Sequence, residues 1–418
     1  MPSRPDAASA TRIALTILAF CFVANMMMRG VQEAYAVFLL PISTSFDWGR
    51  AEVSGVYSLI FIVFGLTGPI VGSLFDRWGP LRLYLCGMLA AAAGLLLATQ
   101  ASQLWHFYLA LGLLLGFGGS CVGPVIMAAF LRRWFREKLN TALALAHASQ
   151  GAAILVLVPS AQYLIEGLGW RGAYGVLSAL VVAVLLPLFA LIPWKSAEAG
   201  SPDIVGTRRP DGGGTAAPVP AGPEVRDAVR MPAFWGIIAS YLFTGIGMFT
   251  VSLQAPAFLI SIGYEPRTAA EAFGLIGLLV PAGMIGFGWL GDRIGRRRVV
   301  LISYAGTLAG LAGLHLLRLA DEPNLAALAL FIGGFGATFG SRGPAISAIA
   351  ASLFGGRSFG RIYGIVAIGM GGGSAIGAWL GGFLHDLSGG YLLGQSVAMV
   401  SIVVGAAPFV LIRAIARA

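Results

Sequence analysis

The stretch GSLFDRWGPLR at residues 72–82 returns in altered form as GWLGDRIGRRR at residues 288–298. The second copy begins 216 residues after the first (288 minus 72), and each copy joins two long apolar runs. Gly72, Leu74, Asp76, Arg77, Gly79 and Arg82 correspond to Gly288, Leu290, Asp292, Arg293, Gly295 and Arg298. A charged loop repeated in the same setting indicates that one unit of the chain was duplicated.

Two shorter matches have nearly the same spacing. Gly123-Pro124 corresponds to Gly343-Pro344 at an offset of 220 (343 minus 123), and Phe46-Asp47 resembles Tyr264-Glu265 at 218 (264 minus 46). Either match alone is weak, but together they indicate duplication of a whole half. Repeated halves with a binding site at their midplane interface are a known transporter plan.

The chain around these repeats is strongly apolar: 57% of its 418 residues are hydrophobic, 11% are charged, and the mean hydropathy is +0.84. A spanning helix needs about 20 apolar residues, and a helix satisfies its own backbone polar groups in lipid. Twelve runs meet that length, near residues 13–41, 52–75, 83–101, 104–131, 140–165, 173–193, 233–262, 269–290, 299–317, 325–353, 362–384 and 392–412. We therefore predict an all-α membrane protein with twelve transmembrane helices in two pseudo-symmetric six-helix bundles.

A polar gap separates the two sets of six runs. It is rich in glycine and proline, a composition that cannot bury enough apolar surface to order itself. We predict an N-terminal bundle at 1–194, a cytoplasmic linker at 195–231 and a C-terminal bundle at 232–418. A short surface helix is expected at 224–230, leading into the last bundle.

The net charge is +9, which in a soluble protein would favour nucleic acid as a partner. Here the charges lie in short segments between apolar runs, so they are better interpreted as topology signals. With the N-terminus inside, the outside segments hold only Arg50, Arg171, Arg267 and Arg318. Basic residues concentrate on the cytoplasmic side of membrane proteins. We predict a multi-pass protein of the cell inner (plasma) membrane with both termini cytoplasmic and no nucleic-acid partner.

The repeated loop resembles the major facilitator superfamily signature G-x-L-x-D-R-x-G-R-R, with Pro80 and Leu81 replacing the basic pair in the first copy. The resemblance implies the major facilitator fold and secondary transport. In that family the acidic residue and the arginines tie helix ends together on the cytoplasmic side. The implied gate residues are Asp76, Arg77, Arg82, Asp292, Arg293 and Arg297. The alternative is that these charges only fix the topology.

Two further segments resemble a narrower group, the monocarboxylate porters and oxalate/formate exchangers. They are YAVFLLPISTSFDWGRAEVS at 35–54 and AVRMPAFWGI at 228–237. Those families place a carboxylate-binding arginine in the eighth helix. This chain departs from them there, because residues 275–287 read LIGLLVPAGMIGF.

Charged residues at bilayer depth are costly and normally face a cavity or a partner. Arg342, in FGSRGPAIS, is the sharpest candidate, since its counterpart in the first half is Val122 and the fold therefore does not require the charge. A guanidinium forms a planar fork that suits a carboxylate, so Arg342 is predicted to bind substrate. The alternative is a structural pair with Glu33 or Asp47.

Arg29 and Glu33 lie four residues apart in the first helix and therefore on one face. One interpretation has Arg29 and the adjacent Gln32 binding an anion while Glu33 carries a proton. The other is a self-neutralising pair that holds the helix in register.

His147 and Gln150 share a face of the fifth helix, and Gln254 lies in the seventh. Histidine titrates near neutral pH, which suits proton coupling, although a lone helix histidine is more often simply hydrogen-bonded. Gln150 and Gln254 are candidate substrate ligands. No residues have metal-ligand spacing and no phosphate-binding loop occurs, so neither a metal nor a cofactor is expected.

These residues predict a secondary transporter, not an enzyme. Its substrate would be a small organic anion, with a monocarboxylate favoured, moved by alternating access with proton symport or anion exchange. The expected partners are that solute, protons and membrane lipid. The alternatives are an exporter of neutral or amphiphilic solutes and a membrane sensor that binds solute without moving it.

Overall fold

The fold is known from a computed structural model, which describes residues 7–135, 138–194, 197, 222–319, 324–356 and 358–417. Within these ranges every regular element is helical, and no strand occurs. Most of the predicted linker at 195–231 lies outside the described residues. Its last part does not, and the expected surface helix is present at Val225–Val229.

Ten helical stretches of the described chain are long and apolar enough to cross a membrane. Two of them, Arg50–Thr99 and Leu139–Leu191, contain a glycine with non-helical backbone angles, Gly79 (φ 73°) and Gly169 (φ 67°). Each is therefore a pair of crossing segments that meet at a turn. The predicted total of twelve crossings is confirmed for the part of the chain that the structure describes.

We number the crossings in chain order. They are α1 (Ala7–Phe46), α2 and α3 (50–78 and 80–99), α4 (Leu104–Arg132), α5 and α6 (139–168 and 170–191), α7 (Pro232–Ser261), α8 (Pro266–Ile294), α9 (Arg296–Leu319), α10 (Leu325–Phe354), α11 (Phe359–Ser388) and α12 (Leu392–Leu411).

Three crossings are interrupted along their length. In α4 one piece ends at Val122 and the next begins at Pro124, and in α10 the pieces are Leu325–Thr338 and Arg342–Phe354. Proline has no N–H to donate and is tolerated best in the first turn of a helix, and at each repeated Gly-Pro pair a new helical piece begins. The third, α7, is divided into Pro232–Ser252 and Ala255–Ser261.

Small residues bring α7 and α11 into close contact. A side-chain carbon at Gly245 would lie 2.7 Å from the backbone nitrogen of Ser374, and one at Gly373 would collide with the backbone of Leu242. Close approach at small residues is a main source of helix association in lipid. The backbone of α7 is therefore held in place, and with it the side chain of Met248.

The described residues fall into two compact units. The first is drawn from Met1–Glu33, Val63–Ala153 and Leu164–Thr215, and the second from Ala34–Ile62, Ile154–Tyr163 and Ala216–Ala418. The repeated loops at 72–82 and 288–298 are called the DR loops below, after their Asp-Arg pairs. The second unit includes parts of α1, α2 and α5, at 34–46, 50–62 and 154–163. The boundaries proposed above for the sequence halves remain a prediction.

Candidate functional site

The second unit holds a buried arginine at the interruption of α10. Arg342 is the first residue of the piece Arg342–Phe354, close to the middle of the crossing, and it is 4% exposed. The Gly343-Pro344 pair sets this position, because the proline starts a new helical piece there. The sequence thus places a permanent positive charge at mid-depth in the bundle.

Three residues contact the guanidinium of Arg342. Nη1 donates a hydrogen bond to Thr307 Oγ1 at 2.9 Å, and Nη2 lies 3.3 Å from the sulfur of Met248. The guanidinium carbon is 4.6 Å from the centroid of the Tyr304 ring. These contacts hold the charge in position, but each partner is neutral.

No carboxylate among the described residues of the second unit pairs with Arg342. Asp47, considered above as a structural partner, makes no such contact. An uncompensated buried charge costs several kcal/mol, and a guanidinium has five N–H donors to satisfy. The positive end of a helix dipole at the same position disfavours a cation and favours an anion. The arrangement therefore suits an anionic ligand.

Hydroxyl groups support the contacts of Arg342. Thr307 also bonds to Thr338 of α10 at 2.7 Å, and Ser303 bonds at 2.7 Å to Ser341, which lies in the interruption of α10. Tyr304 bonds to Thr244 of α7 at 2.8 Å. These bonds fix the orientation of the Tyr304 ring and the Thr307 hydroxyl.

The sequence reasoning missed Met248, Tyr304 and Thr307 as neighbours of Arg342. A signal for two of them was present, because Ser303, Tyr304 and Thr307 lie three and four residues apart in an otherwise apolar stretch of α9. Nothing in the sequence distinguishes Met248 from other apolar residues of α7.

The first unit contains a separate polar cluster on α1. Arg29 Nη2 and Glu33 Oε1 form an ion pair at 2.9 Å, with side chains 18% and 2% exposed. Arg29 also donates to Gln32 Oε1 at 3.4 Å. The amide nitrogen of Gln32 has no partner among the described residues. It packs against Gly119, where any side chain would collide with it.

The structure places His147 and Gln150 in α5 of the same unit, both half-buried. Between them in sequence, Ser149 accepts a 2.6 Å hydrogen bond from Asn25 of α1. This bond joins α5 to α1 one helical turn before Arg29. The first unit thus brings Arg29, Gln32 and Glu33 into contact on α1 and places His147 and Gln150 on α5, which is bonded to α1.

Gln254 lies elsewhere, at the interruption of α7 in the second unit. It donates to Ser54 Oγ at 3.1 Å and accepts from Arg50 at 3.3 Å. The structure therefore places it with residues near the start of α2, and it makes no contact with Arg342 among the described residues.

The two DR loops form tight turns. Gly79 and Gly295 both have positive φ (73° and 92°), a conformation that glycine adopts without strain, which explains why the motif repeats a glycine there. In the first loop Asp76, Arg77 and Arg82 are exposed.

In the second loop Asp292 and Arg293 are exposed, and Arg293 stacks on Trp289 at 3.8 Å. Arg297 is half-buried and donates to the backbone oxygen of Phe409 at 2.8 Å. Neither Asp76 nor Asp292 forms an ion pair with a described residue. The gating role of these residues stays a prediction.

Twelve apolar crossings, twin DR turns and buried polar clusters define a multi-pass α-helical membrane protein of the transport class. The chain belongs to the Major Facilitator Superfamily, which it matches over residues 16–343 and again over 287–417. This confirms the expected fold, and it identifies a transport protein rather than an enzyme.

The curated relatives confirm the resemblance to the monocarboxylate branch. The chain is 27% identical to Monocarboxylate transporter 13 of Bos taurus over 390 residues, covering 92% of this chain and 85% of that protein. It is 26% identical to Monocarboxylate transporter 12 of Rattus norvegicus, with coverages of 79% and 72%. It is also 25% identical to the uncharacterized MFS-type transporter YcxA of Bacillus subtilis, with coverages of 92% and 91%.

Proposed function

We propose that the chain carries a small monocarboxylate across the membrane, with Arg342 as the ligand of the carboxylate. The observation that supports this is the buried guanidinium, which has hydroxyl, thioether and aromatic neighbours and no acidic partner among the described residues of its unit. A carboxylate would neutralise the charge and occupy the free N–H donors. The relatives named as monocarboxylate transporters support the same substrate class.

The polar cluster of the first unit is assigned the coupling step. Glu33 and His147 would bind and release the coupled proton, while Arg29, Gln32 and Gln150 would contact the solute. Two coupling modes remain open for this cluster, proton symport and anion exchange. An inward proton gradient drives net uptake of labelled carboxylate into vesicles that contain no carboxylate only in the first mode. In the second mode, labelled uptake requires unlabelled carboxylate inside the vesicle.

The protein is proposed to lie in the cell inner (plasma) membrane with both termini in the cytoplasm. The support is the distribution of basic residues, since only Arg50, Arg171, Arg267 and Arg318 fall on the opposite side. The DR turns would then face the cytoplasm.

The decisive experiment measures uptake of radiolabelled lactate and pyruvate into proteoliposomes containing the parent protein, Arg342→Gln or Arg342→Lys. Removing one member of a buried hydrogen-bonded charge pair costs about 2–5 kcal/mol, so Arg342→Gln should weaken carboxylate binding at least about 30-fold. Lysine keeps the charge but loses the planar fork, and should retain only part of the affinity.

Arg318→Gln is the matched control, because Arg318 is an exposed arginine at the end of α9. Its uptake should equal that of the parent protein. Unchanged carboxylate uptake in Arg342→Gln would contradict the proposal and favour a neutral or amphiphilic solute. Carboxylate binding without uptake or counterflow would indicate a sensor.

A further inference from the structure

The end of α11 supplies a cap for the start of α2. Asp386 Oδ1 accepts a hydrogen bond from the backbone nitrogen of Arg50 at 3.0 Å, and Oδ2 accepts one from Ala51 at 2.8 Å. The first N–H groups of a helix have no acceptor within the helix, and a carboxylate placed there also suits the helix dipole. A residue of the second sequence half thus completes a helix of the first half, within a single compact unit.

The side chain of Arg50 makes a second connection between the same segments. Its Nη1 donates to the hydroxyl of Tyr391, just after α11, and to Gln254 Oε1 at 3.3 Å. Gln254 in turn donates to Ser54, one turn further along α2. Burial raises the pKa of the Tyr391 phenol, although the nearby Arg50 opposes this, so the hydroxyl is a neutral acceptor.

Close backbone packing accompanies these hydrogen bonds. A side-chain carbon at Gly382 would lie 2.5 Å from the carbonyl oxygen of Arg50 and 2.7 Å from Ser54 Oγ. Gly382 precedes Asp386 by one helical turn, so it lies on the same face of α11. Even a methyl group at this position would push α11 away from α2.

An equivalent contact joins the repeat counterparts of these helices. Tyr163, near the end of α5, donates its hydroxyl hydrogen to Glu271 near the start of α8 at 3.0 Å. The guanidinium of Arg267 lies 4.6 Å from the centroid of the Tyr163 ring. Since α5 and α8 correspond to α11 and α2 in the duplicated sequence, the same kind of contact occurs twice at the ends of these helices.

We infer that Asp386, Arg50, Tyr391 and Gln254 form a latch that closes the transporter at the end opposite the DR turns. The start of α2 lies about a full helix length from Asp76 in the first DR turn, and Asp386 at the end of α11 contacts that start directly, so the latch lies at the end of α2 opposite this turn. Transport requires this end to open, so the two hydrogen bonds of Asp386 must break and re-form in each cycle. The latch requires only that the protein is a transporter and is independent of the solute.

The test measures the opening of this end directly, by pulsed electron paramagnetic resonance between two spin labels on the protein in liposomes. The labels are attached at Ser45→Cys and Leu387→Cys, both exposed and close to the latch, after Cys21, Cys86 and Cys121 have been replaced by serine. The parent protein should give mainly one short distance. In Asp386→Asn the population at a longer distance should rise roughly tenfold relative to the population at the shorter distance. A shift of this size is expected when a charge-assisted hydrogen bond is lost.

Asp227→Asn makes the same chemical change on the short helix Val225–Val229 and should leave the distances unchanged. Gly382→Ala provides a second route to the open state, through steric contact and without altering any charge. A label pair at Leu319 and Leu387 reports on the second sequence half alone, and an unchanged distance there shows that the fold is intact.

Identical Ser45–Leu387 distances in the parent protein, Asp386→Asn and Gly382→Ala would overturn the latch. If Asp386→Asn changes the Leu319–Leu387 distance, its fold is altered and the variant is set aside. Gly382→Ala then decides: a larger population at the longer Ser45–Leu387 distance supports the latch, and an unchanged distribution overturns it. No solute is needed for this measurement, so its result does not depend on whether Arg342 binds a carboxylate.

Discussion

The guanidinium of Arg342 lies 4.6 Å from the centroid of the Tyr304 ring, and this ring is itself fixed by a 2.8 Å hydrogen bond between its hydroxyl and that of Thr244. A cation over an aromatic face in a desolvated site is stabilised by about 2 kcal/mol. The Tyr304 ring therefore does more than fill space: it holds the charge of Arg342 where a carboxylate could meet it.

We expect Tyr304→Leu to weaken carboxylate binding by roughly tenfold or more, because the guanidinium loses the ring that positions it. Tyr304→Phe keeps the ring and removes the hydroxyl with its hydrogen bond to Thr244, so its effect should be clearly smaller. Competition of unlabelled lactate against labelled lactate in proteoliposomes measures both. Equal losses in the two variants would show that the hydroxyl, and not the ring, is what matters.

Thr307 offers a second test of how Arg342 is held. Thr307→Val has almost the same shape but removes the acceptor of the 2.9 Å bond from Nη1. A hydrogen bond to a charged group contributes about 1.5–3 kcal/mol, so the variant should unfold at a lower temperature and take up carboxylate less well. Thr307→Ser keeps the hydroxyl and should behave nearly as the parent protein. A stable, fully active Thr307→Val would mean that the bond is dispensable.

The fold was predictable because its evidence is local and repeated. Apolar runs of spanning length, two DR loops and two Gly-Pro pairs are all visible along the chain. The positive φ angles of Gly79 and Gly295 explain why the DR loop is recognisable after duplication. Each of these features is determined by residues that are close together in the sequence, so it can be recognised without knowing which distant segments are in contact.

The surroundings of Arg342 could be predicted only in part, because its contacts join distant segments. Thr307 is 35 residues away and Met248 is 94 residues away. The contact of Asp386 with the start of α2 spans 336 residues. Asp386 looks like an ordinary helix-end residue in the sequence, and no pattern along α11 indicates which helix it caps.

Variants of Arg29 and Glu33 can distinguish the two roles proposed for their ion pair, which are to hold α1 in register and to carry the coupled proton. Glu33→Gln leaves Arg29 without its partner, and breaking a buried pair costs about 3–5 kcal/mol, so thermal stability should fall clearly. The double variant Arg29→Gln with Glu33→Gln removes both charges and should recover much of that stability. The double variant is then suitable for transport measurements.

Uptake by this double variant distinguishes the two roles. If Glu33 carries the proton, the variant loses uptake driven by a proton gradient yet keeps exchange against internal carboxylate, at lower affinity because Arg29 no longer contacts the solute. If the pair only holds α1 in register, both activities return together with stability. A double variant no more stable than Glu33→Gln would show that the two side chains act independently.

Gly295 tests whether the turn geometry of the DR loop is needed for stability. Its φ of 92° is strained for any residue with a side chain, although no atom lies within 4 Å of a carbon added there. We therefore expect Gly295→Ala to destabilise the protein by about 1 kcal/mol or more through backbone strain alone. Gly286→Ala, in the interior of α8 with equally open surroundings, should be neutral or slightly stabilising because alanine favours helix. Thermal unfolding of the two variants under identical detergent conditions measures the difference. A methyl group has no neighbouring atom to collide with at either site. Equal changes in thermal stability would therefore mean that the positive φ of Gly295 does not destabilise alanine, and that it does not explain the repeated glycine.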